Sequence, residues 1–278
     1  MERIKQAIEK VKNQRSSEAQ RGDLRPEAAV ALPKSRPARD SEELEDIRYI
    51  YTRVAKPPLG HLEKNRIVAF DKNAPKGMAF DLLRTQVLKK MEENGWRTLA
   101  ITSPTPEAGK TVVAINLAMS IAQLTNKTAV LVDFDLRRPK IGPYLGIPMD
   151  KSLNDLLEET AELQEVLVNP GMPRLVVLPT KTPMKNSSET LSSGKIADLI
   201  KDLRERYKSR IVIFDLPPLL VTDDAIALLP QIDCILMVVA NGMCTKREIE
   251  DSLQLLPAEN LIGTILNKAD IEPVGYYY

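Results

Sequence analysis

Arg97-Thr-Leu-Ala-Ile-Thr-Ser-Pro-Thr-Pro-Glu-Ala-Gly-Lys-Thr111 is the stretch on which the reading of this chain turns. A short apolar run, Leu99 to Ile101, enters a loop of small and turn-forming residues that ends in Gly109-Lys110-Thr111. An apolar-periodic segment, Val112 to Leu124, follows at once. Strand, loop, Gly-Lys-Thr and helix in that order form a cradle for phosphate, because backbone N–H groups and the positive end of the new helix face the anion. The lysine supplies a point charge to the terminal phosphates, and the threonine hydroxyl can hold Mg²⁺. The strict pattern G-x-x-x-x-G-K-[ST] is not met, because Pro104 stands at its first glycine.

With 278 residues, 43% of them apolar and 28% charged, the chain can bury one α/β core and carry an appendage. A net charge of +1 gives no reason to expect a nucleic-acid partner. Cys234 and Cys244 lack metal spacing, and Cys234 sits in an apolar strand as a reduced, buried thiol. The single histidine, His61, lies outside the candidate core, which argues against a histidine-based metal site or triad. No apolar stretch is long enough to cross a bilayer, and the first residues are charged. These features predict a cytoplasmic protein that reaches a membrane only through a partner.

Ile4, Ala7, Ile8 and Val11 fall at helical spacing, so residues 1–15 read as an amphipathic helix. Residues 16–64 read as a linker with short elements, its first part rich in Ser, Ala, Pro, Arg and Glu. The folded domain is expected over 65–272, with a tyrosine-rich tail at 273–278. Met78 to Met91 reads as a helix burying Leu82, Leu83, Val87 and Leu88. The strands expected after it are Thr98 to Thr102, Thr128 to Asp133, Arg174 to Leu178, Ile211 to Phe214, Cys234 to Val239 and Leu261 to Leu266. Helical patterns such as Ser188 to Tyr207 and Lys246 to Leu256 fill the gaps. The strands are continuous Val/Ile/Leu runs, as expected where both faces are covered. The fold class is α/β: a doubly wound, mostly parallel sheet whose ligands bind at the carboxyl ends of the strands.

Three carboxylates stand at those ends. One strand delivers Asp133 and Asp135 in Leu131-Val-Asp-Phe-Asp-Leu-Arg-Arg-Pro139, and another delivers Asp215 in Ile213-Phe-Asp-Leu-Pro-Pro218. With Lys110 and Thr111 they make a magnesium–nucleotide site, since a hard cation takes oxygen ligands and the phosphates need both metal and lysine. One aspartate can hold the metal through water while another orients or deprotonates the attacking group.

At this point the sequence resembles a known family. Leu131 to Pro139 resembles the second Walker motif (A′) of bacterial tyrosine kinases, Ile211 to Pro218 their Walker B strand, and Ser103 to Thr111 their phosphate loop. Arg138 to Gly146 with Ser152 to Leu157, and Leu178 to Ser193, resemble two further family segments. The resemblance covers roughly residues 65 to 278. It points to the CpsD/CapB-type, or BY-kinase, cytoplasmic domain of exopolysaccharide and capsule export, a P-loop NTPase of the MinD/ParA-like class. It implies a Mg²⁺- and ATP-dependent tyrosine autokinase that works beside a membrane-embedded polysaccharide co-polymerase, peripheral to the inner membrane, with possible self-association.

Carried over by residue, the resemblance gives Lys110 the β/γ-phosphates and Thr111 the metal. Pro106, Ala108, Gly109 and Val112 complete the loop's contact with nucleotide. Asp133 becomes the candidate base, Asp135 supports the metal and phosphate shell, and Asp215 holds Mg²⁺ through water. Asn267 is expected on the adenine, and Tyr276, Tyr277 and Tyr278 are the expected phosphoacceptors. Arg137 and Arg138 could touch phosphate or a neighbouring subunit, or equally form surface salt bridges. The chain departs from the family in three places. Glu107 replaces a loop glycine, only Arg84 survives of the oligomerisation triplet that falls on Met78, Asp81 and Arg84, and the tail carries just three contiguous tyrosines. Asn267-Lys-Ala-Asp270 also matches a guanine-recognition signature. The alternatives are therefore an ATP-binding adaptor of the export complex with little kinase activity, and a MinD/ParA-like ATPase or a GTPase.

Overall fold

The computed structural model describes residues 52–71, 77–124 and 126–269. The expected helix over 1–15, most of the linker, Asp270 and the tail tyrosines lie outside these residues.

Among the described residues eight strands form one sheet in the order β1-β4-β5-β3-β6-β2-β7-β8. They are β1 (Arg53–Val54), β2 (Thr98–Thr102), β3 (Thr128–Asp133), β4 (Val168–Asn169), β5 (Leu175–Leu178), β6 (Arg210–Asp215), β7 (Cys234–Ala240) and β8 (Leu261–Asn267). Every pairing is parallel except β4 with β5. β1 and the short helix α1 (Leu59–Lys64) fall within the stretch read as linker, and β1 pairs with β4 in the sheet.

The apolar runs are explained by the pleat. In β2, Leu99 and Ile101 join one core and Ala100 the other. Likewise in β3, Ala129 and Leu131 face one side while Val130 and Val132 face the opposite one. Because successive side chains alternate and both faces are covered, no polar face is left to interrupt the pattern.

Helix α2 (Met78–Asn94) covers one face and ends at Gly95, whose left-handed φ of 69° lets the amides of Gly95 and Trp96 reach back to Glu92 and Met91. It buries Val87, Leu88 and Met91. The expectation that Leu82 is buried is corrected: it is 63% exposed, because the stripe that meets the core runs 87, 88, 91 and leaves 82 on the outer side. Helix α3 (Lys110–Ala122) is apolar nearly all round and lies buried against the sheet. Its one interior amide, Asn116, accepts from the N–H of Val68 and Ala69 and donates to the carbonyls of Arg66 and Val112, which fixes the segment leading into α2.

Small helices α4 (Ile141–Leu145), α5 (Leu153–Leu157) and α6 (Leu163–Val166) follow β3. The helix expected over Ser188 to Tyr207 is two, α7 (Ser187–Leu191) and α8 (Gly194–Glu205). Ser193 takes an extended conformation (ψ 153°) and starts a new helix, so the apolar period restarts there rather than running through. Helices α9 (Asp224–Leu228) and α10 (Lys246–Gln254) complete the layers. Among the described residues no helix is long and apolar enough to cross a membrane.

Candidate functional site

Parallel register sets the site. β3 and β6 lie side by side with Asp133 opposite Asp215, and β2 pairs with β6 so that Ile101 also faces Asp215. The loop after β2 therefore starts beside the acidic ends of β6 and β3. Phe134 and Phe214 stack at 5.1 Å with 6° between their planes, and the Phe134 N–H donates to the Asp215 carbonyl at 3.0 Å. Both aspartates thus project from one rigid patch of backbone.

The loop itself is stapled to the segment after β6. Leu219 and Leu220 donate to the carbonyls of Ser103 and Pro104, and Thr102 Oγ1 donates to Pro217 O at 2.8 Å. Gly109 adopts φ 92° at the entry to α3. Glu107 stands at φ 61°, in the left-handed region that glycine enters freely and a β-carbon resists. Its side chain is exposed. Pro106 is exposed, Val112 half-buried and Ala108 buried.

Lys110 Nζ lies 2.7 Å from Asp135 Oδ2 and 3.4 Å from Asp215 Oδ1. Thr111 Oγ1 donates to Asp215 Oδ2 at 2.6 Å. All four side chains are buried. Asp135 Oδ1 accepts from the Arg138 N–H at 3.0 Å, so the turn after β3 aims this carboxylate. Asp133 Oδ2 accepts from the N–H groups of Lys140 and Ile141 at 3.0 and 2.9 Å. Its Oδ1 is buried without a hydrogen-bond partner among the described residues.

Burial, with the Asp215 carboxylate beside it, pushes the Asp133 carboxyl well above its ordinary value of 3.8. Asp215 is raised as well, burial outweighing the Lys110 ammonium and the Thr111 hydroxyl. For Lys110 burial acts downward, but the carboxylates of Asp215 and Asp135 outweigh it and the net shift is upward. This crowding of charge has a stability cost. A carboxyl whose folded value is raised contributes most below its unfolded value and loses that contribution as pH rises through the raised one. Asp133→Asn is therefore expected to melt roughly 2–4 °C higher than wild type at about pH 8, or about 1 kcal/mol in a domain of this size. The gain should shrink as pH falls toward about 5, and a pH-independent difference in thermal melts would refute the assignment of strain to this carboxylate.

Three placements were not read from the sequence. Arg137 turns to Asp224, with Nε to Oδ2 at 2.9 Å and Nη2 to Oδ1 at 3.2 Å. Asp224 is fully buried and also accepts from Ser187 Oγ at 2.6 Å, so the turn after β3 and the first residues of α7 and α9 meet on one carboxylate. No local pattern marks a pair 87 residues apart. Arg138 stays exposed. Asn267, expected on a base, donates to the Ala108 carbonyl at 2.8 Å. Asp81 and Arg84 are engaged within the chain, bonded to each other and both to Ser120 of α3.

No family model matches the chain. The tyrosine-protein kinase CpsD of Streptococcus pneumoniae serotype 4 is 30% identical over 183 residues, covering 65% of this chain and 79% of CpsD. The putative tyrosine-protein kinase EpsB of Ralstonia nicotianae is 30% identical over 198 residues, 70% of this chain but only 26% of its own length. The chain thus spans about a quarter of that longer relative. The kinase domain of the Escherichia coli tyrosine kinase ETK superposes with a TM-score of 0.68 at 27% identity, over 90% of this chain and 99% of that one. Solved MinD- and ParA-type ATPases share the fold at lower identity.

Proposed function

The chain belongs to the bacterial tyrosine-kinase family of CpsD, and on that premise we propose that it is an ATP-dependent protein-tyrosine autokinase acting in capsule or exopolysaccharide production. The observation that carries the reading is the buried cluster of Lys110, Thr111, Asp135 and Asp215 at the foot of the loop. Thr111 Oγ1 and Asp215 Oδ2 converge within 2.6 Å, two oxygens suited to a hard cation, so these two residues would hold Mg²⁺. The metal would supply neutralisation of charge on the transferring phosphoryl group. Lys110 would leave its carboxylates for the β/γ-phosphates, stabilising the same charge. Asp133, whose Oδ1 is buried without a hydrogen-bond partner among the described residues, is the proposed base for the tyrosine hydroxyl proton, and its raised affinity for a proton suits that role. The tyrosine oxygen bonds to the γ-phosphorus as the bond to the ADP oxygen breaks. Acceptors are Tyr276, Tyr277 and Tyr278 of this or a second copy. A membrane-embedded co-polymerase is the proposed partner, holding the protein at the inner membrane.

Intact-mass and fragment spectra of the full chain after incubation with Mg·ATP should show phosphoryl groups on Tyr276, Tyr277 or Tyr278. An unmodified tail, with the membrane partner present as well, would overturn the kinase reading. Glu107 favours a second reading, an ATP-binding adaptor with slow transfer, because a carboxylate and a strained φ both sit in the loop. The φ strain is already present without nucleotide and so bears on folding, but an exposed carboxylate near the triphosphate opposes binding by about 1 kcal/mol. Glu107→Gly is accordingly expected to bind Mg·ATP about fivefold tighter in titration calorimetry. Equal affinity would show that the loop carries no penalty at this position.

A further inference from the structure

The last strand reaches across to the phosphate loop. Asn267 closes β8, opposite Ala240 of β7, and its carbonyl accepts the Asn241 N–H at 2.8 Å. From that fixed base its Nδ2 donates to the Ala108 carbonyl at 2.8 Å. The approach is close enough that a β-carbon on Gly109 would stand 2.2 Å from Nδ2. Gly109 is thus glycine for two reasons, its φ of 92° and the amide lying against it.

A planar trans peptide turns this contact into an orientation. The carbonyl of residue 108 and the N–H of residue 109 belong to one rigid unit and point in opposite directions. Holding the Ala108 carbonyl toward β8 aims the Gly109 N–H away from it. That N–H stands at the start of α3, where the first amides have no partner in the helix. We propose that Asn267 is a positioning residue for the phosphate loop: its amide fixes the Ala108–Gly109 peptide plane and so presents the loop's N–H groups to a triphosphate, whatever base is attached. This rests on the nucleotide reading of the site. It differs from a base-reading role, in which the amide would discriminate adenine from guanine and leave phosphate affinity alone.

The test is titration calorimetry of the full chain with Mg·ATP, Mg·GTP and magnesium tripolyphosphate, on wild type, Asn267→Ala and Asn267→Asp. The aspartate keeps the shape but sets an oxygen against the Ala108 carbonyl, and circular dichroism checks that each variant is folded. Both variants should weaken ATP and GTP by a common factor of about ten, the worth of one lost hydrogen bond, with their ratio unchanged. Tripolyphosphate should fall by the same factor. A changed ATP-to-GTP ratio makes Asn267 a base reader and overturns the inference, as do unaltered affinities in both variants. Wild type that binds none of the three overturns the nucleotide reading itself, which separates that failure from this one.

Discussion

Lys110→Met is expected to weaken Mg·ATP binding about a hundredfold or more and to abolish tail phosphorylation. Hydrogen bonds from a cation to charged acceptors are worth about 1.5–3 kcal/mol each, and removing two such bonds to phosphate at once reaches that factor. The substitution also strips Asp135 and Asp215 of their buried counter-ion. Removing one partner of a buried pair costs about 3–5 kcal/mol unless the orphan takes up a proton. The variant's melting temperature should therefore lie below wild type at neutral pH, and the deficit should narrow on acidification as Asp215 protonates. Calorimetry and pH-resolved thermal melts read the two effects separately. Tight nucleotide binding by the folded methionine variant would remove Lys110 from the phosphate site.

Arg137→Leu is expected to destabilise the domain by about 2 kcal/mol, below the range for breaking a fully buried pair, because solvent screens part of the guanidinium. Arg137 is 42% exposed whereas Asp224 is wholly buried, so the loss is asymmetric. Asp224→Asn keeps the shape and an acceptor for Ser187, and should cost less than the arginine change. The double variant should recover much of the loss, because it leaves no unpaired charge inside. Urea unfolding of the three proteins completes the cycle. Equal and additive costs would mean that the two side chains do not interact. Slower phosphorylation should accompany the arginine change, since Arg137 lies two residues from Asp135 and anchors the same turn.

Much of the fold is legible because its strands are buried on both faces. A run such as Ile211-Val-Ile-Phe214 cannot serve a half-exposed sheet, and six such runs separated by helical patterns leave few topologies open. The aspartates at strand ends are legible for the same reason, since parallel register carries Asp133 and Asp215 to the same edge as the loop. What escapes a linear reading is side-chain choice among near-equal options. Leu82 and Leu83 both fit a helical stripe, and only the way α2 packs on α3 exposes the former. The break at Ser193 looks like continued helix because the period is kept on both sides of it. The Arg137–Asp224 pair and the Asn267–Ala108 bond join residues far apart in the chain, and either arginine or asparagine could have faced solvent instead.

The sheet order puts β1 at one margin and β8 at the other, so the described fold is entered and left on opposite sides. Seven inter-strand spacings of about 4.8 Å separate them, roughly 34 Å. Tension between an anchor upstream of β1 and a captured tail would consequently load the hydrogen-bond ladders in series rather than bypass them. The rungs with the fewest pairs yield first: β1–β4, held through two residue pairs and the Ala55 N–H on Asn169, and β4–β5, held through one. Pulling on this protein would peel off β1, and β4 with it, while the candidate site at β3 and β6, further into the sheet, stayed intact.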